Sequence, residues 1–278
     1  MTEDASTQLS ESLSGLLGLT LEEGEPDAAV HADEDGVGDG AGGDAGAGTS
    51  NGLSKSEENM DKNDAKKKLL VLALNGILSY REYARASPQK CYVGESRRQG
   101  NFLIYERPHM RSFLHYCFEA FTVAVWSSAR EYNMRAMLDV YFSNEQKQKL
   151  HFAWGQDHCI DSGERDVSNP NKPLFLKDLN SIWRKPSDIG NGFGPENTLL
   201  LDDSVYKARS TPDNAIHPVE WIPRLREEEI KEDDDDVLAE TGPLRQFLDE
   251  VRTCDDVSEL IHHARREGRL RHLESSTN

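Results

Sequence analysis

From residue 66 onward, short continuous apolar runs alternate with stretches of helical spacing. Residues 69–74, LLVLAL, form an unbroken apolar run between a lysine triplet and Asn75–Gly76. That is the pattern of a strand buried on both faces, as in a parallel sheet. Residues 122–126, TVAVW, and 197–201, NTLLL, repeat it and end in Ser127–Ser128 and Asp202–Asp203. Between the first two runs, residues 102–105 read as a short strand and 89–100 as a hairpin or loop. Pro108 is placed to open a helix, and Met110, Phe113, Leu114, Cys117 and Phe118 recur at helical spacing over 110–121. Residues 130–142 read as helix again. Strands alternating with helices predict an α/β domain around a parallel sheet. Leu244, Phe247, Leu248, Val251, Val257, Leu260 and Ile261 extend helical periodicity over 243–270, as two short helices broken near 253–256.

Composition divides the chain. Residues 1–64 predict a disordered acidic tail, since 33–50 is Gly, Ala and Asp with little to bury. The apolar island at 13–21, LSGLLGLTL, reads either as a docking motif or as an incidental cluster in that tail. Residues 1–65 hold 16 acidic side chains and two lysines, a net −14 out of the chain's −18, so the rest is nearly neutral. A tail of that sign repels phosphates and argues against nucleic acid as partner. Residues 227–240, with four aspartates at 233–236, predict a solvated acidic linker or exposed helix end. Residues 241–272 form a helical segment expected to pack on the domain at 66–226. His262, His263, Arg265, Arg266, Arg269 and Arg271 make a basic patch, either a site for an acidic partner or a solvated helix face. Lys66–Lys68 reads as a localisation signal or as charges flanking the first strand.

Other features narrow the class. Cys91, Cys117, Cys159 and Cys254 are dispersed, with no zinc-like spacing, and are expected to be reduced in an intracellular protein. No apolar stretch approaches the ~20 residues a membrane span needs, and the N-terminus lacks a signal-peptide layout. A nuclear or cytoplasmic protein is expected. GNGFG at 190–194 lacks the Lys and Ser/Thr of a phosphate-binding P-loop and reads as a flexible loop.

Ligands of open parallel sheets bind beyond the carboxyl ends of the strands. Asn75, Ser127, Asp202 and Asp203 follow the three candidate strands, and Lys177 lies in PLFLKDLNSIW between the last two. A hydroxyl and a lysine suit phosphate oxygens; paired carboxylates suit a hard cation. Read alone, each has a plainer meaning: a strand-end serine, a surface lysine, an exposed Asp turn, an Asn-Gly turn.

Four stretches in order, LLVLALNGIL, YERPHMRSFLHYCFEAFTVAVWSSA, PLFLKDLNSIW and NTLLLDDSVYKA, resemble the FCP/SCP-like (NLI-interacting-factor-like) branch of the haloacid-dehalogenase-type phosphatases. The resemblance covers about 66–270. It implies a Rossmann-like parallel sheet flanked by helices, with a small insertion after the first strand, fitted by residues 80–101. It further implies that Ser127 and Lys177 hold phosphate, and that Asp202, Asp203 and the backbone carbonyl of Asn75 hold Mg2+. The family's first motif reads D-x-D-x-T or D-x-D-G-[TV]. Here its nucleophilic aspartate is Ala73, its general acid/base is Asn75 and its hydroxyl position is Ile77.

The loss is chemical. In-line covalent phosphoryl transfer needs a carboxylate, and a methyl group offers no lone pair. A positioned acid contributes ~10²–10⁴-fold, and an amide does not titrate to supply it. Mg2+ loses an anionic ligand and is expected to bind weakly if at all. The sequence therefore predicts a pseudophosphatase that binds a protein or phosphoprotein. Two alternatives stand beside it: a Mg2+-dependent phosphoserine/phosphothreonine phosphatase with residual activity, and a relative of the phosphatase-homologous receptor subunit of the mitochondrial presequence translocase.

Overall fold

The computed structural model describes residues 67–84, 92–167, 169–185, 189–190, 192–225 and 235–274. The predicted acidic tail, its apolar island, Cys91 and the acidic stretch through Asp234 lie outside them. Lys66–Asp166 and Pro173–Asn278 make up one unit, to which the fold below belongs. A second unit, Met1–Ala65 with Val167–Lys172, adds to the described residues only a turn in which the Lys172 N–H donates to the Asn169 carbonyl at 2.9 Å.

In chain order the elements are β1 (Leu69–Leu72), β2 (Ser79–Tyr83), β3 (Ser96–Gln99), β4 (Phe102–Glu106), α1 (Met110–Ala120), β5 (Thr122–Trp126), α2 (Glu131–Tyr141), α3 (Asn144–Lys149), β6 (Ala153–Trp154), β7 (Ile160–Arg165), β8 (Pro173–Leu176), α4 (Asn180–Trp183), β9 (Thr198–Leu201), β10 (Ala215–Ile216), α5 (Pro243–Thr253) and α6 (Val257–Arg266). Five of the strands form a parallel sheet in the order β10-β9-β1-β5-β6. The predicted α/β architecture is present, with β1 at its centre.

The continuous apolar run of β1 follows from burial on both faces. Leu70 and Leu72 enter a large core with the apolar sides of α1, α2, α5 and α6. Leu69 and Val71 enter a second core on the opposite face, with Trp126, Trp154 and Ile182. Each such Leu, fully buried, stabilises the fold by ~1.5–3 kcal/mol. α1 buries Met110, Phe113, Leu114 and Cys117 of the predicted stripe and half-buries Phe118, but begins after His109 rather than at Pro108. His109 has φ +63°, a left-handed conformation that breaks the chain direction before the helix starts.

After β1 the chain makes an antiparallel sheet in the order β2-β4-β3. Tyr80, Tyr92, Tyr105 and Trp221 cluster against it. The expected strand is present as β4 and forms a hairpin with β3 across residues 100–101; β2 adds a third strand that the sequence did not indicate. At the C-terminus, α5 opens with Pro243 and α6 is capped by Asp256, whose carboxylate accepts the Glu259 N–H at 3.0 Å. Two helices broken near 253–256 match the expected periodicity.

The acidic stretch differs from expectation at its described end. Asp235 accepts from Arg107 Nε at 2.7 Å and Nη2 at 3.1 Å, while Arg107 Nη1 donates to the Ile77 carbonyl at 3.3 Å. Arg107 is buried, so this aspartate is the counter-charge of an interior cation and not a solvated linker residue. Lys68 is likewise structural: its Nζ donates to the Cys254 carbonyl at 2.7 Å, at the end of α5. Phe193, in the 190–194 loop, is buried against the second core.

Candidate functional site

The register of the parallel sheet determines what stands at its carboxyl edge. Leu72 pairs with Leu201 on one side and Val125 on the other, and the Ala73 N–H donates to the Leu201 carbonyl at 2.8 Å. Carried one residue further, that register sets Ala73 level with Asp202 on β9's exit. Ser127 leaves β5 on the other side, its N–H donating to the Trp154 carbonyl at 2.8 Å. The methyl of Ala73 therefore stands on the strand between the hydroxyl and the carboxylates.

Asp202 is fully buried and both its oxygens are engaged. Oδ2 accepts from the Lys177 ammonium, which is itself only 1% exposed. Oδ1 accepts the Ser204 N–H at 3.0 Å and lies 3.3 Å from Lys207 Nζ. Burial alone would raise the Asp202 pKa, but the Lys177 and Lys207 ammonium groups overcome it and hold the carboxyl below the usual range. The two lysines reach Asp202 from neighbouring segments, since the Lys177 N–H donates to the Lys207 carbonyl at 2.8 Å.

Asp203 has a different environment. Its side chain is 16% exposed, with Lys207 Nζ at 3.8 Å. Burial raises its pKa above the ordinary carboxylate range despite Lys207, and the neighbouring Asp202 charge adds to the rise. On its other side lies Gly76, with φ +78°, where a Cβ would sit 2.8 Å from Asp203 Cγ and Oδ2. The Gly76 N–H donates to the Ser79 carbonyl at 2.8 Å, and its own carbonyl accepts the Trp221 N–H at 2.9 Å. Asn75–Gly76 thus makes the tight turn its sequence suggested, closed down on Asp203.

Among the expected site residues, Lys177, Asp202 and Asp203 come together, joined by Lys207. Ser127 lies beyond β1, and its Oγ accepts the Ala129 N–H at 3.1 Å. The side chain of Ile77 is fully buried in the larger core. Asn75 Oδ1 is buried with no hydrogen-bond partner. Two residues here escaped the sequence reading. Lys207 lies on a 3₁₀ turn, four residues after Asp203, and that spacing was the available signal. His217 is buried and its Nδ1–H donates to the Asp202 carbonyl at 2.8 Å; burial lowers its pKa.

The donor set does not fit Mg2+, which takes near-octahedral oxygen coordination usually anchored by one or two carboxylates. Ala73, level with Asp202, offers only a methyl group; Asp202 Oδ2 accepts from Lys177, Oδ1 accepts the Ser204 N–H with Lys207 Nζ at 3.3 Å, and Asp203 has Lys207 Nζ at 3.8 Å. Among the described residues no three His, Cys, Asp or Glu side chains gather into a metal-binding group. As arranged, the cluster formally neutralises two carboxylates with two ammonium groups and presents no nucleophile at position 73. Cys159 nearby, with Sγ 3.9 Å from the Ser127 carbonyl, is pushed up by burial and stays a thiol.

Comparison with known proteins gives these features a lineage. The model of the NLI interacting factor-like phosphatase family matches residues 68–258. An uncharacterised FCP1 homology domain-containing protein of Schizosaccharomyces pombe is 28% identical over 200 residues, 70% of this chain and 76% of its own. Ubiquitin-like domain-containing CTD phosphatase 1 of Xenopus tropicalis is 27% identical over 158 residues, 56% of this chain and 45% of its own. Among solved structures, fission yeast RNA polymerase II CTD phosphatase Fcp1 aligns over 76% of this chain and 58% of its own, at 12% identity and a TM-score of 0.36. Among the described residues no helix is long and apolar enough to cross a membrane.

Proposed function

This chain belongs to the NLI interacting factor-like phosphatases, and from that membership we propose that it is a catalytically silent homologue serving as a protein-binding module. One observation carries the reading: Ala73, level with Asp202, puts a methyl group where phosphoryl transfer requires an attacking carboxylate. The relatives' names as CTD phosphatases suggest the partner class, a protein bearing phosphoserine or phosphothreonine. Ser127 and the backbone N–H groups of Leu74 and Asn75 are the groups offered to such a phosphate, those of Ala73 and Gly76 being bonded within the fold. Lys177 joins them only by leaving Asp202. A nuclear or cytoplasmic setting accords with the relatives' names.

A second reading, a phosphatase with residual activity, draws on the survival of Ser127, Lys177, Asp202 and Asp203 at one sheet edge. No observation favours a presequence-receptor role. The test is turnover of an aryl phosphate and of a phosphoserine peptide, with and without Mg2+, by this chain and by Ala73→Asp. The proposal expects no turnover by the present chain and peptide binding seen by fluorescence anisotropy. Mg2+-dependent turnover by the present chain would overturn it in favour of the second reading.

A further inference from the structure

We infer that the ammonium of Lys177 replaces the metal ion of this site, so that the chain folds and binds without a divalent cation. The inference deepens the proposal of a silent site and rests on it.

The argument begins with Asp202. A carboxylate fully buried at a sheet edge requires a cation, because an ion removed from water without a partner is strongly destabilising. Here that cation is covalently part of the chain. Lys177 is held to the Asp202 side by its own backbone, whose N–H donates to the Lys207 carbonyl at 2.8 Å. Its side chain is 1% exposed and its Nζ lies on Asp202 Oδ2. Lys207 and the Ser204 N–H take Oδ1. Both Asp202 oxygens are thereby engaged, and the remaining carboxylate, Asp203, has Lys207 Nζ at 3.8 Å.

Position 73 explains why this arrangement is stable. An aspartate there, level with Asp202 on the adjacent strand about 4.8 Å away, would add a third carboxylate to a cluster of two lysines. That excess of negative charge calls for a divalent cation. Alanine removes it, and the lysines then suffice. The methyl group removes the one negative charge that the two lysines could not balance.

The test uses the full chain, with Mn2+ as a spectroscopic probe for Mg2+. Free Mn2+ gives a six-line EPR signal that binding removes. The present chain, at equimolar protein and metal near 0.1 mM (an order-of-magnitude working concentration about tenfold below weak sites), is expected to leave that signal undiminished. Its Tm should not move between EDTA and Mg2+. Ala73→Asp should deplete the Mn2+ signal and acquire a Tm that rises with Mg2+. Lys177→Met should lose about 6 °C or more of Tm in EDTA, and Mn2+ should restore part of the loss. Stoichiometric Mn2+ uptake by the present chain would overturn the inference, as would a Lys177→Met Tm equal to the parent's. If Lys177→Met does not fold, the EPR of the present chain decides alone. Mn2+ uptake without turnover defeats this inference and leaves the silent chemistry standing; turnover defeats the latter.

Discussion

Gly76→Ala tests whether the first-motif turn is built around Asp203. Two costs are separable. The first is conformational: φ is +78°, and an L-residue in that region costs ~1–2 kcal/mol. The second is steric: the added Cβ would lie 2.8 Å from Asp203 Cγ and Oδ2 and 3.1 Å from its Cβ. Rotation of the carboxylate alone does not clear the last contact, so Asp203 must shift its backbone or give up Lys207. That ion pair, partly exposed and 3.8 Å long, contributes ~0–1 kcal/mol. The sum is roughly 1–3 kcal/mol, or ~2–12 °C in Tm for a domain of this size. Urea unfolding of Gly76→Ala, Asp203→Ala and the double variant separates the costs. With Asp203 truncated, only the conformational cost should remain, so the double variant should be about 1 kcal/mol more stable than additivity predicts. Additivity within ~0.3 kcal/mol, or a neutral Gly76→Ala, would refute the close approach of turn and carboxylate.

Other contacts make equally specific predictions. Arg107→Met leaves Asp235 without its bidentate partner and should cost ~3–5 kcal/mol, with Arg107→Met/Asp235→Leu recovering much of it in urea unfolding. Tyr141 bonds the buried Ser79 hydroxyl and its pKa is pushed up to about 12, chiefly by burial. Tyr141→Phe should cost ~1–3 kcal/mol by leaving Ser79 unpartnered, and ultraviolet titration should find one tyrosine ionising near that pH in the folded parent and not in the variant. Burial lowers the His217 pKa below the ordinary imidazole value of about 6.5, so the unfolded chain binds a proton that the folded chain refuses. Stability is then full above about pH 6.5 and falls as pH drops toward the folded pKa. His217→Gln should flatten that fall between pH 7 and 5, and an unchanged slope of urea midpoint against pH would count against a neutral buried imidazole.

The legible parts of the fold were those whose burial imposes a pattern. Residues 69–72, 123–126 and 199–201 lie between two cores and are apolar throughout, so each announced itself as a strand. α1, α5 and α6 bury one stripe, and 3.6-residue spacing revealed it. β2 and β3, SYREY and SRRQ, are largely exposed or half-buried and carry no apolar alternation. β6 and β10 have two residues each, too short for any period. Site legibility divided similarly. Positions 73, 127 and 202 were readable because a parallel sheet delivers its strand ends to one edge. The partners were not: Lys177 and Asp202 are 25 residues apart, Arg107 and Asp235 are 128 apart, and only folding joins them. The same blindness made an interior counter-ion at Asp235 look like a linker residue.

Lys177, Asp202 and Lys207 would each be costly to lose whether or not the site ever touched phosphate. Neutralising Lys177 leaves a fully buried carboxylate with one fewer cation, and neutralising Asp202 leaves a buried ammonium, each a penalty of ~3–5 kcal/mol. Stability alone therefore suffices to retain the residues that look most catalytic. The informative position is the one the fold does not need. At 73, a strand exit packed level with Asp202, alanine satisfies the backbone ladder and adds no charge, whereas aspartate would unbalance the cluster formally by one unit. The same count that makes the carboxylate chemically necessary makes it structurally expensive without a metal. Position 73 therefore reports on the chemistry while its buried neighbours report mainly on the fold. An Ala73→Asp chain should follow from that: less stable than the parent in EDTA, and stabilised by Mg2+ where the parent is indifferent to it.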